Sequence, residues 1–169
     1  LMVGRTPEFL GKKIEAAEVK WSILAILAPG AVILVFSSIA VLFDTTLASR
    51  NNIGPHGLTE ILYAFSSAAG NNGSAFAGLN TDTPFYYSMM GVAMFIGRFL
   101  VLFPALEIGA SMGSKKITPL TSGTFRTDGA LFVVLLIAVI LVVGGLTFLP
   151  ALGLGPIVEH LLMRSGKTF

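Results

Sequence analysis

The chain has 169 residues, of which 54% are hydrophobic and only 12% charged, with a formal net charge of +2. Such a composition, with a mean hydropathy of +0.83, lies outside the range of soluble domains and leaves no room for a large catalytic domain beside membrane crossings. Cysteine is absent, which excludes disulfide frameworks, thiolate metal sites and cysteine nucleophiles. The basic residues sit in short clusters beside apolar runs, the pattern of topology determinants and not of a nucleic-acid face.

Residues 1–20 carry Arg5, Lys12, Lys13 and Lys20 and are predicted to form a cytoplasmic amphipathic connection. Within it Thr6-Pro7-Glu8 reads as a helix start, with Thr6 as N-cap and Pro7 in the first helical position, before Gly11 interrupts it. Residues 21–43 are free of charge and long enough, at roughly twenty residues, to span a bilayer. Residues 57–69 place Leu58, Ile61, Leu62 and Phe65 at helical spacing but are too short to cross, so they predict a short helix that is re-entrant, interfacial or buried. Glu60 near its start reads first as a partner of the helix dipole and second as a cation-steering charge. Residues 85–108 predict a second span. Arg98 lies inside it and Glu107 at its end, so this span must present a polar side to protein or water.

Residues 110–129 carry Lys115, Lys116 and Arg126 and form a second basic loop, with Glu107 expected to lie solvated near the two lysines. Residues 130–152 are the last predicted span, and Pro156 and flanking glycines lead into an outer tail, 153–169, that reads as an interfacial anchor. The two basic segments place the N-terminal part in the cytoplasm and the short helix outside. Trp21, Tyr86 and Tyr87 fall at span ends, where aromatic belts place such residues. His56 and His160 stand without ligand-spaced companions for a metal site.

The segment that carries chemistry is 70–78, Gly-Asn-Asn-Gly-Ser-Ala-Phe-Ala-Gly. An ion crossing a membrane exchanges its water shell for oxygens, and backbone carbonyls supply them without a trapping charge. The backbone must then be non-helical at depth, which is tolerated only where it lines a cavity or is buried in protein. Gly70, Gly73 and Gly78 can take positive φ, and asparagine is the next most tolerant residue. The preceding short helix would aim its partially negative C-terminus at the bilayer centre, which favours a cation. The competing reading is an exposed Asn72-Gly73 turn between two helices.

Several longer motifs narrow this choice. Residues 4–14 (GRTPEFLGKKI), Gly54-Pro55-His56-Gly57, Asn71-Asn72-Gly73-Ser74-Ala75-Phe76-Ala77-Gly78, Gly97-Arg98-Phe99 and 146–152 (LTFLPAL) together resemble the C-terminal part of the potassium-binding A subunit of Kdp-type potassium-transporting ATPases. The resemblance covers nearly the whole chain. It implies an all-α integral membrane fold: a potassium-channel-like repeat over 21–109, the fourth of four, plus one extra C-terminal transmembrane helix, so that the chain is a fragment. It implies that Asn71, Asn72, Gly73, Ser74 and Ala75 form one strand of a potassium selectivity filter, with Gly73 as the filter glycine. Gly70 departs from the family pattern, where a third asparagine is expected.

The resemblance further implies a bacterial inner-membrane location, potassium as the bound ion, and a phosphorylated, ATP-hydrolysing B subunit as partner. A small C subunit and in some systems a very small F subunit would complete the complex. The chain itself has neither a P-loop nor the Asp-Lys-Thr-Gly signature of P-type pumps, so it is expected to bind no nucleotide and to be no enzyme alone. Arg98 has two readings, a structural ion pair or snorkelling side chain, and a fixed charge that opposes free cation flow below the filter. Two rival functions remain open, a stand-alone potassium channel or symporter built from identical units, and a non-conducting membrane scaffold subunit.

Overall fold

The computed structural model describes residues 8–74, 78–119, 129–148 and 153–167. A two-stranded hairpin, β1 (Glu8–Phe9) and β2 (Lys12–Lys13), precedes six helices: α1 (Ala16–Ala40), α2 (Asp44–Leu47), α3 (Gly54–Gly70), α4 (Pro84–Ser114), α5 (Ala130–Phe148) and α6 (Leu154–Arg164). Two compact units result, one holding residues 9–119 and the other 1–8 with 120–169.

The hairpin replaces the helix expected to start at Thr6; Thr6 and Pro7 themselves lie outside the described residues. Leu10 and Gly11 both have positive φ, 52° and 74°. Two successive left-handed residues make a tight hairpin turn, so Gly11 is the second residue of that turn and does not interrupt a helix.

In the larger unit α1 and α4 are the two described helices long and apolar enough to cross a membrane. At 1.5 Å per residue they extend roughly 38 and 46 Å. α1 starts five residues before its expected span of 21–43 and ends three short of it, whereas α4 exceeds 85–108 at both ends. α1 begins at Ala16, where Glu18 accepts a 2.7 Å bond from the Glu15 amide, a side-chain device that satisfies an orphan donor of the first turn. α4 begins at Pro84, where the Thr83 hydroxyl accepts from the Tyr86 amide, and runs past Glu107 to Ser114 because nothing between them breaks a helix.

The two helices run antiparallel, and their ends are tied by different chemistry. At one end Glu18, only 2% exposed, pairs with the Lys115 amine at 2.8 Å and accepts from the Ser111 hydroxyl. Lys115 also reaches Glu15 at 3.1 Å and the Lys13 carbonyl at 3.0 Å. Burial alone would lower the Lys115 pKa, but the bonds from Glu18 and Glu15 outweigh it and hold the amine above its usual range, so it stays charged at any physiological pH. Glu107 is exposed, in keeping with its expected solvation, and the carboxylates that meet Lys115 are Glu15 and Glu18. Lys12 donates to the last α4 carbonyls, Met112 at 2.6 Å and Gly113 at 3.3 Å, the favoured place for a cation on a helix.

At the other end Tyr86, fully buried, donates its hydroxyl to the Thr46 carbonyl at 3.2 Å and packs edge-on against Phe85. It is a core anchor and not the interfacial belt residue its position suggested. α3 wedges between α1 and α4 near this end. Its buried residues, Gly57, Glu60, Ile61, Ala64, Phe65, Ala68 and Ala69, recur at three- and four-residue steps, the single stripe of an amphipathic helix. Phe65 meets Phe36 of α1 at a 5.8 Å ring separation and Tyr86 at 6.2 Å. The opposite face, with Leu58, Leu62 and Tyr63, is exposed in this chain.

In the smaller unit α5 is apolar around its whole circumference, with Leu131, Val134, Ile137 and Leu141 all exposed, whereas α6 mixes Glu159, His160 and Arg164 with leucines. The expected span 130–152 is helical to Phe148, and residues 149–152 lie outside the described set.

Candidate ion-filter site

Geometry at the C-terminus of α3 follows from the residue order Ala68-Ala69-Gly70-Asn71-Asn72-Gly73. Gly70 is the last helical residue and does not take the positive φ expected of it; the left-handed residue is Asn71, φ 50°. The Asn71 amide donates to the Ala68 carbonyl at 3.1 Å and the Asn72 amide to Ser67 at 3.4 Å. This crossed pair is the closure of a helix on a left-handed residue, usually glycine or asparagine. Asparagine serves twice, because its side chain also donates to the Met94 carbonyl of α4 at 3.0 Å. The first residue of the loop is thereby fixed to α4.

Gly73 is the second left-handed residue, φ 68°, and among the described residues a Cβ added there would meet nothing within 4 Å. Alternating handedness turns the backbone away from the helical path within three residues. The Asn72 side-chain oxygen holds this course, accepting from the Ser67 hydroxyl at 2.7 Å and the Ser74 amide at 2.9 Å. The Ser74 hydroxyl in turn bonds to Tyr63 of α3. Asn72, Gly73 and Ser74 are exposed in this chain. Ala75, with Phe76 and Ala77, lies outside the described residues. The chain reappears at Gly78, whose carbonyl accepts from the Asn51 amide at 3.0 Å, and Asn80 donates to Ser49 at 2.8 Å.

Depth follows from α4. Gly97 lies thirteen residues after Pro84, so the contact between Gly97 and Ala69 sits about 20 Å along a helix of about 46 Å. The approach is close: a Cβ on Gly97 would stand 2.1 Å from the Ala69 carbonyl oxygen. Only glycine lets the end of α3 meet α4 here.

Beside that end is a cavity of about 350 Å³ lined by Pro29, Ala69, Gly70, Asn71, Gly97, Arg98 and residues of the next α4 turns. Pro29 lies within α1; it removes one backbone donor and frees a carbonyl one turn earlier. Arg98 is exposed within this chain and borders the same cavity as the carbonyl end of α3. A helix C-terminus carries about half a negative charge and a guanidinium a full positive one, so a cation-favouring and a cation-opposing group share one space.

Glu60 was the residue whose role sequence reasoning misjudged. It stands two turns into α3, beyond the reach of the helix-start dipole, and is 3% exposed. Its carboxylate accepts from the Asn51 amide at 2.9 Å and the Asn52 side-chain amide at 2.5 Å. Partners eight and nine residues earlier in a loop leave no periodic signal. Among the described residues no group of three or more metal-ligating side chains occurs.

Comparison with known proteins places the chain in a family. The family model described as "Potassium-transporting ATPase A subunit" matches residues 1–161. Proteins named potassium-transporting ATPase potassium-binding subunit are 61% identical in Rhizobium rhizogenes, 59% in Mesorhizobium japonicum and 58% in Methylobacterium nodulans, each over all 169 residues. The chain spans about 30% of the length of these relatives. The family model covers nearly the whole sequence, and the chain belongs to the potassium-transporting ATPase A subunit family.

Proposed function

We propose that the chain is the C-terminal part of a potassium-binding subunit. In this reading residues 21–109 are one channel-like repeat with α3 as its pore helix and residues 70–78 as one selectivity-filter strand. The observation that carries it is the end of α3: a helix halted part-way along α4, closed on left-handed Asn71 and followed by left-handed Gly73, which meets no described residue within 4 Å of its Cβ position. One strand cannot surround an ion, so three further repeats of the same protein complete the ring. α5 is the closing span and α6 an interfacial anchor. The exposed apolar surfaces of α1, α3 and α4 fit this incompleteness, since a soluble monomer rarely leaves such faces uncovered.

Potassium is the substrate, held by backbone carbonyls of Asn71, Asn72, Gly73, Ser74 and Ala75. The ion is then passed to a separate B subunit that hydrolyses ATP, with a C subunit and in some systems an F subunit in the complex. The membrane is the bacterial inner membrane. The Glu18–Lys115 end, beside the basic residues Lys12, Lys13, Lys20 and Lys116, faces the cytoplasm.

Potassium and rubidium uptake by the complete complex carrying Asn72→Ala tests the filter. That change removes the acceptor shared by Ser67 and Ser74; at about 1 kcal/mol for each hydrogen bond, discrimination against rubidium should fall by roughly fivefold or more in normally assembled complex. Unaltered affinity and discrimination would leave the loop as a plain turn.

Arg98 has a second task in this reading. A fixed charge below the filter opposes straight-through cation flow and favours sideways transfer. Arg98→Gln should therefore raise passive potassium flux in complexes without ATP, measured in proteoliposomes. A flux equal to wild type, with transport intact, sinks this role.

A further inference from the structure

We infer that Glu60 is a positioning residue for ion selection, acting from the far side of α3 through the loop 49–52 on the outer end of the filter strand. The inference rests on the filter reading and adds to it a device that acts at no distance short enough to touch the ion.

The two ends of the 70–78 segment are held differently. Its inner end is fixed by the closure of α3 and by Asn71 on Met94. Its outer end is held by Leu79, buried in the helical core, and by backbone pairing with 49–51: Asn51 amide to Gly78 carbonyl, 3.0 Å, Asn80 amide to Ser49 carbonyl, 2.8 Å, and an antiparallel bridge between Arg50 and Leu79. The loop 49–52 is therefore an anchor of the outer end, and what anchors the loop is Glu60.

The Asn51 amide is shared. It donates to the Gly78 carbonyl and, at 2.9 Å, to a Glu60 carboxylate oxygen, so one N–H joins the pore helix to the filter strand's outer end. The other carboxylate oxygen takes the Asn52 side-chain amide, and the Asn52 backbone amide approaches at 3.5 Å. Hydrogen bonds to an ionised acceptor are about twice as strong as neutral ones, and a buried carboxylate is held there only if such donors meet it. Gly57 completes the seat: a Cβ on it would stand 2.2 Å from the Asn52 carbonyl oxygen, so the loop lies directly on the first turn of α3.

This geometry makes the carboxylate a spacer whose length sets where residues 78–80 stand relative to α3, and with them the carbonyls at the mouth of the strand. Since selection among similar ions depends on the placement and field of carbonyl oxygens, a shift at this anchor should be read as changed ion preference before it is read as lost folding.

The test uses the complete complex in proteoliposomes, with assembled amount, apparent potassium KM, turnover at saturating potassium and the rubidium-to-potassium ratio measured for Glu60→Ala, Glu60→Gln and Asn52→Ala. Gly73→Asp reports on the filter itself. Expected for Glu60→Ala is an apparent KM about tenfold higher, equivalent to about 1.4 kcal/mol, with weaker rubidium discrimination and turnover within about twofold of wild type.

Glu60→Gln should rescue most of this: its carbonyl can take the Asn51 amide, and the Asn52 side chain can turn over to accept from the new amide. Asn52→Ala removes a single donor and keeps the question answerable if Glu60→Ala does not assemble; it should shift KM in the same direction by less. A normal KM and rubidium ratio in Asn52→Ala and in whatever Glu60→Ala complex assembles, beside a shifted Gly73→Asp, overturns the inference and leaves the filter reading standing. Normal values in all of them, Gly73→Asp included, overturn both. A Glu60→Gln variant as impaired as Glu60→Ala overturns positioning in favour of a direct effect of charge.

Discussion

Gly73→Asp is expected to abolish high-affinity potassium uptake in a complex that still assembles. The backbone at Gly73 is left-handed, and among the described residues beyond its chain neighbours none comes within 4 Å of a Cβ placed there. The fold therefore pays only the conformational penalty of a side chain at positive φ, roughly 1–2 kcal/mol and least for Asn and Asp. The ion site pays much more. A unit charge about 4 Å from a bound cation is worth about 4 kcal/mol at an effective dielectric of about 20, and each 1.4 kcal/mol is about tenfold in occupancy. In the proposed filter, a carboxylate at Gly73 would trap a cation and erase the small differences by which potassium and rubidium are told apart. Gly73→Asn has the same shape without the charge and separates the two effects: it should keep measurable uptake with reduced affinity. The readout is potassium-limited growth and ion uptake in a bacterium lacking other potassium importers, with membrane assembly measured separately. Equal affinity and selection in wild type and Gly73→Asp would return the segment to an exposed turn and move a scaffold role ahead.

What the sequence made legible was whatever one stretch of chain dictates by itself. The long apolar runs of α1 and α4 announce helices because twenty uncharged residues have few other fates, and the three- and four-residue recurrence of Ile61, Phe65 and its neighbours announces α3. Boundaries were less legible. Hydropathy stops at Glu18 and at Glu107, yet the helices run through both, Glu18 because it bonds back to Glu15 and across to Lys115. The αL position fell on Asn71 and not on Gly70, since in this closure the left-handed residue follows the last helical one and asparagine adds the bond to Met94. Least legible were contacts made across the fold. Nothing in Glu60's surroundings in sequence points to Asn51 and Asn52, and Tyr86 looks like an interfacial aromatic until Thr46 is found forty residues earlier at its hydroxyl. Both are buried polar groups, whose partners only tertiary structure supplies.

Gly97→Ala carries the other large effect, and here the damage begins in packing. A Cβ on Gly97 would stand 2.1 Å from the Ala69 carbonyl oxygen, 2.8 Å from its carbon and 2.9 Å from its Cα. All three are backbone atoms, so no rotamer relieves the clash; α3 and α4 must part by more than about 1 Å to reach ordinary contact. Overpacking of this kind costs about 1–3 kcal/mol or more, against which alanine's better helix propensity returns at most about 1 kcal/mol. The displaced atoms also belong to the footing of the proposed filter. Ala69 accepts from the Asn71 side chain, which holds Met94 on α4, and it walls the cavity shared with Arg98. A single methyl group should therefore lower the melting temperature of the detergent-solubilised complex by several degrees and, in the fraction that assembles, raise the apparent potassium KM by tenfold or more, about 1.4 kcal/mol. Loss of assembly with normal affinity in the survivors would make Gly97 a packing residue alone. A variant with wild-type melting and wild-type uptake would mean that α3 and α4 do not meet at this depth.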